Sequence, residues 1–81
     1  MESQVSIIGI IVENWDSTDK LNELLHEYSN YIIGRMGLPY PKKNVNIISI
    51  ALDAPTEIIT VLADKIGALD GISSKVVCSG K

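Results

Sequence analysis

Eighty-one residues with 46% hydrophobic and 21% charged side chains, one cysteine and a formal net charge of -3 can bury one small core and no second one. The acidic balance excludes a stand-alone nucleic-acid binder, which needs clustered Lys and Arg to neutralise phosphates; the only adjacent basic pair is Lys42-Lys43. A lone Cys78 excludes an internal disulfide and a Cys-rich zinc site.

No apolar run reaches the roughly 18–20 residues that cross a bilayer, and Met1-Glu2-Ser3-Gln4 opens without a basic region. The expectation is one soluble, cytoplasmic domain over residues 1–81. In chain order, Val5 to Val12 is rich in β-branched residues and reads as a strand buried on both faces. Glu13 to Ser17 is a polar corner where Asp16 or Ser17 can accept the free N–H groups of a helix start. Leu21, Leu24, Leu25 and Tyr28 recur at i, i+3, i+4 and i+7, which predicts an amphipathic helix from about Ser17 to Asn30. Tyr31 to Leu38 returns to strand-like composition, with Pro39-Tyr40-Pro41 expected to end it. Val45 to Leu52 is a third strand, ended by Asp53-Ala54-Pro55. Ile58, Val61, Leu62, Ile66 and Leu69 form the stripe of a second helix, Asp70-Gly71 makes a turn, and Ile72 to Ser79 is a last edge strand.

Strand, helix, strand, strand, helix, strand is the split βαβ pattern of an α+β, ferredoxin-like sandwich: a four-stranded antiparallel sheet with both helices on one face. In that arrangement the first and third strands are central. Ile8, Ile10, Ile48, Ile50 and Leu52 carry the bulk for the helix-covered face, while Val5, Ile7, Ile11, Val45, Ile47 and Ala51 point the other way. The open face is therefore apolar too. An exposed patch of this kind marks an interface, so a homo-oligomer, dimer or tetramer, built partly through the sheet face is expected.

Residues with chemistry are few. The sequence has no Gly-rich phosphate loop, H-x-x-x-H pair, C-x-x-C pair or G-x-S-x-G corner, and no acid–base pair stands out, so an enzyme is not expected. His26, the only histidine, shares the polar side of the first helix with Asn22, Glu23 and Asn30. It is either a solvated surface residue or a ligand or metal contact completed by another subunit. Arg35, a charge within an apolar strand and flanked by Gly34 and Gly37, is either an edge-strand guard against aggregation or a contact for an anion or another subunit. Trp15 is either a packed loop anchor or part of a ligand-facing rim. Cys78 reads as a small apolar filler or an idle thiol. Asp16 and Asp19 complement the helix dipole and make that N-terminus uninviting to an anion.

The motif N-E-L-L-H-x-x-S at Asn22 to Ser29, followed by I-x-x-R-x-G-x-P at Ile32 to Pro39, lies within a pattern running from the Val5–Glu13 segment to Gly71-Ile72. Across nearly its full length the chain resembles the short proteins known as iron-only hydrogenase system regulators. Their fold is similar to the ACT domain and to the ligand-sensing C-terminal domain of nickel-responsive repressors, both ferredoxin-like and oligomeric. The resemblance implies a regulatory role, with a small-molecule or metal effector or a protein partner. ACT domains bind amino acids at a Gly-containing corner after the first strand; Glu13 to Ser17 contains no glycine, so that site is not carried over. His26 and Cys78 do not reproduce the ligand set of the nickel sensors, and their ribbon-helix-helix DNA reader has no counterpart in these residues. Transcriptional control would then require a separate DNA-binding partner. If an effector binds, the residues to examine are His26 and Asn22 on the first helix, Arg35 on the second strand and Trp15 at the rim. The resemblance names no cofactor.

Overall fold

The computed structural model describes residues 2–79; Met1, Gly80 and Lys81, at the ends of the expected domain, lie outside the described residues. The elements follow the expected order: β1 (Gln4–Val12), α1 (Thr18–Glu27), β2 (Ile32–Tyr40), β3 (Val45–Ala54), α2 (Thr56–Gly67) and β4 (Ile72–Cys78). All strand pairs are antiparallel, in the spatial order β2-β3-β1-β4, with β1 and β3 central. The fold is an α+β, ferredoxin-like sandwich of the ACT-like kind.

Its core follows from period-2 alternation in the central strands. Ile8 pairs with Ile50 and Ile10 with Ile48, and these side chains are buried together with Val12 and Leu52. Leu21 and Leu25 of α1 and Ile59, Leu62 and Ile66 of α2 close over them in the same cluster, so both helices cover one face. Each fully buried Leu or Ile contributes about 1.5–3 kcal/mol relative to exposure.

Several boundaries depart from the sequence expectations. Helix α1 ends at Glu27, and a short 3-10 turn at Ser29–Tyr31 leads into β2. Strand β2 continues through Pro39 to Tyr40, and β3 runs on to Ala54. Pro39 is tolerated because β2 is an edge strand, where a residue without an N–H need not break a ladder on its open side. In α2 the inward stripe is Ile59, Leu62 and Ile66, while Val61 is exposed; one helical step of about 100° from Leu62 carries Val61 off the core-facing stripe.

The polar corner after β1 also works differently from the expected helix cap. Asn14 Oδ1 accepts the Asp16 N–H at 3.0 Å, and the Ser17 hydroxyl donates to the Asp70 carbonyl at 2.7 Å. Asn14 Nδ2 donates to Asp70 Oδ2 at 2.9 Å, and the Glu13 N–H donates to the Gly71 carbonyl at 2.7 Å. The β1–α1 corner is thereby tied to the α2–β4 turn. Gly71 sits there with φ +67°, and a Cβ at that position would lie 2.4 Å from Asn14 Cβ and 2.9 Å from its backbone nitrogen.

The second sheet face is uncovered within one chain. Ile7, Ile11 and Ile47 on the central strands, Met36 and Leu38 on β2, and Val77 on β4 are all exposed. Register places Leu38, Ile47 and Ile11 in one row and Ala51, Ile7 and Val77 in another. Between them runs a row of Met36, Ser49, Gly9 and Lys75. The apolar open face read from the alternation is thus present in the folded chain.

Candidate functional site

Helix α1 and edge strand β2 leave between them an open cleft of about 330 Å³, lined by Asn22, Leu25, His26, Ser29, Ile32 and Arg35. Asn22, Leu25 and His26 stand at i, i+3 and i+4, so one side of α1 presents all three, and Ser29 follows in the turn after it. The strand contribution depends on an irregularity. Ile32 pairs with Leu52 and Arg35 with Ile50, three residues apart on β2 but two apart on β3. A β-bulge between Ile32 and Gly34 absorbs the extra residue. Without it, residues three apart on a strand would face opposite sides; with it, Ile32 and Arg35 both face α1.

Arg35 reaches the helix directly, its NH2 group donating to Asn22 Oδ1 at 2.7 Å. Among the described residues, its guanidinium has no carboxylate within ion-pair distance. Leu25 is buried and Ile32 half-buried, giving the cleft an apolar floor. No acidic side chain lines it. Two of the three acids of α1 are turned the other way: Glu23 and Glu27, with Lys20, Leu24, Lys65 and Leu69, line a separate groove of about 480 Å³ between the helices, while Asp19, in the first turn of α1, lines neither. There Lys65 Nζ donates to the Tyr28 hydroxyl at 3.0 Å and lies 5.3 Å from the ring centroid. The Tyr28 hydrogen bond is the main cause holding the Lys65 ammonium above its ordinary pKa of 10.5. That groove gathers charges of both signs, whereas the α1–β2 cleft is lined by Arg35 and no carboxylate.

Of the four residues singled out in the sequence, His26, Asn22 and Arg35 converge on this cleft, and Trp15 does not line it. Trp15 Nε1 instead donates to the Asn44 carbonyl at 2.8 Å, anchoring the corner before α1 to the β2–β3 connection. That connection turns at Asn44, whose φ of 54° is left-handed; Asn is among the few side chains that adopt this conformation readily. Sequence reasoning did not assign Ser29, Leu25 or Ile32 to a site, although Ser29 and Ile32 are fixed positions of the N-E-L-L-H-x-x-S and I-x-x-R pattern. At the other edge of the sheet the Ser6 hydroxyl is 3.1 Å from Cys78 Sγ, and Cys78 is an exposed free thiol. No group of three or more His, Cys, Asp and Glu side chains among the described residues could hold a metal ion.

The fold and cleft define a small ACT-like ferredoxin domain with a polar site between its first helix and an edge strand. The chain belongs to the TM1266-like family, whose description is "Iron-only hydrogenase system regulator, putative"; the match spans residues 4–76. It is similar to the TM1266 protein of Thermotoga maritima, an uncharacterized protein of known structure, with a TM-score of 0.91 and 32% identity over 95% of this chain and 98% of that one. A formyltetrahydrofolate deformylase from Pseudomonas putida KT2440 superposes with a TM-score of 0.68 at 13% identity, over 95% of this chain and 29% of that chain, a likeness of fold alone. No curated protein matches the chain significantly. No helix among the described residues is long and apolar enough to cross a membrane.

Proposed function

We propose that this protein is a non-catalytic, cytoplasmic regulatory module of the iron-only hydrogenase system that senses a small effector in the α1–β2 cleft. It acts as a homo-oligomer and reaches DNA, if it does so, through a partner. The observation that carries the reading is the convergence of Asn22, His26, Ser29 and Arg35 on one cleft, in a family whose description is regulatory. Oligomerisation is supported by the open sheet face. Four strands about 4.8 Å apart and some nine residues long, at about 3.3 Å each, present roughly 570 Å². Two such faces bury about 1,100 Å², close to the lower end of specific interfaces.

The same apolar face favours a second reading, in which it docks another component of the hydrogenase system and the chain is a scaffold without a small ligand. Native mass spectrometry of the assembly, purified without denaturation, separates the two. The sensor reading predicts a mass of two or four chains carrying a small-molecule or ion adduct. A copurifying protein with no adduct would instead establish the scaffold.

A further inference from the structure

Resting on the sensing reading above, we infer that the α1–β2 cleft selects a small organic oxyanion, a carboxylate or phosphate carried on a short apolar stem. Charge segregation carries the inference. On a chain of net charge -3, the cleft contains a guanidinium and an imidazole and no acid, while Glu23 and Glu27 of the same helix face the other groove with two lysines. The Arg35 guanidinium offers a planar fork of donors suited to a carboxylate or phosphate.

One of those donors is committed to Asn22 Oδ1, a contact that braces the guanidinium against the helix; its remaining N–H groups have no protein acceptor among the described residues. Nor do the His26 ring and the Ser29 hydroxyl make a side-chain hydrogen bond there. These are polar groups gathered around one opening, and apart from the Arg35–Asn22 contact their donors have no acceptor among the described residues. Beneath them Leu25 and Ile32 supply an apolar floor, which favours a stem of a few carbons over a bare inorganic ion. The volume of about 330 Å³ is at the small-ligand end of the range that binding clefts occupy.

The test is a set of two-dimensional 1H–15N NMR titrations of the intact chain with isovalerate, isobutyl phosphate and the neutral isovaleramide. Saturable shifts at Asn22, His26, Ser29 and Arg35 are expected with at least one charged probe, the better of the two identifying the preferred head group. The amide should bind at least tenfold more weakly. Arg35→Gln should weaken the charged probe at least tenfold while its spectrum stays dispersed, and Arg35→Lys, which keeps the charge but not the fork, should fall between. Equal binding of the amide, or an undiminished response in Arg35→Gln, would overturn the oxyanion inference and leave the cleft as a sensing site for something neutral. Silence toward all three probes would overturn it as well, with the adduct in the native mass spectrum deciding the sensing reading separately.

Discussion

Gly71→Ala is expected to destabilise the domain by about 2–4 kcal/mol, read as a lower urea midpoint with an unchanged slope. Two costs combine. The positive φ of Gly71 disfavours any side chain with a Cβ, and the new methyl would meet Asn14 Cβ and backbone at distances that real atoms do not tolerate. Asn14 cannot simply yield, because its side chain also accepts from Asp16 and donates to Asp70 while its N–H donates to the Gly71 carbonyl. Movement there disturbs the start of α1, the helix that carries Asn22 and His26. Gly37→Ala is the control: Gly37 pairs with Ile48, off the open face, and a Cβ there meets nothing within 4 Å, so its effect should stay below about 1 kcal/mol. Equal stability of Gly71→Ala and the parent chain would mean that the two corners are not locked together.

The second large effect is expected from the open face. Placing lysine at both Ile7 and Ile11 should dissociate the oligomer, raising its dissociation constant at least 100-fold, about 2.7 kcal/mol, in sedimentation velocity. Both positions lie on the central strand β1 and are 48% and 37% exposed in the single chain, so the change costs the isolated fold little. In a sheet-to-sheet interface, however, each ammonium would be buried without a partner. A parent chain that sediments as a monomer at micromolar concentration would contradict this account of the face.

Much of the architecture was readable because the central strands are short, β-branched and set between helix stripes. Both of their faces are apolar, but Ile8, Ile10, Ile48, Ile50 and Leu52 form an unbroken bulky set, while Gly9, Ser49 and Ala51 interrupt the other side, and that difference marks the covered face. Helix α2 was less legible: Ile58, Ile59, Val61, Leu62, Ile66 and Leu69 spread apolar residues around more than one stripe, and only packing against the sheet decides that Ile59 rather than Val61 turns inward. Pro39 looked like a terminator because its tolerance depends on β2 being an edge strand, a property of the assembled sheet.

The cleft was legible in part. His26 and Asn22 share a helical side by simple spacing, and Arg35 was noticeable as a charge in an apolar strand. What joined them was hidden: two adjacent isoleucines, Ile32 and Ile33, give no sign of the bulge that turns Arg35 toward α1. In sequence Trp15 offered anchoring and rim roles, with anchoring the favoured one, and its hydrogen bond to Asn44 ties it to the β2–β3 connection.

The central claim is that this cleft sets the regulatory output. Its most direct test is complementation in a host that carries the iron-only hydrogenase: deletion of the encoding gene, followed by return of the parent chain or of Arg35→Gln, with hydrogenase transcript and activity measured together. Deletion should change the amount of active enzyme, the parent chain should restore it, and Arg35→Gln should fail to restore it while accumulating as folded protein. Full restoration by Arg35→Gln, or a hydrogenase indifferent to the deletion, would contradict it.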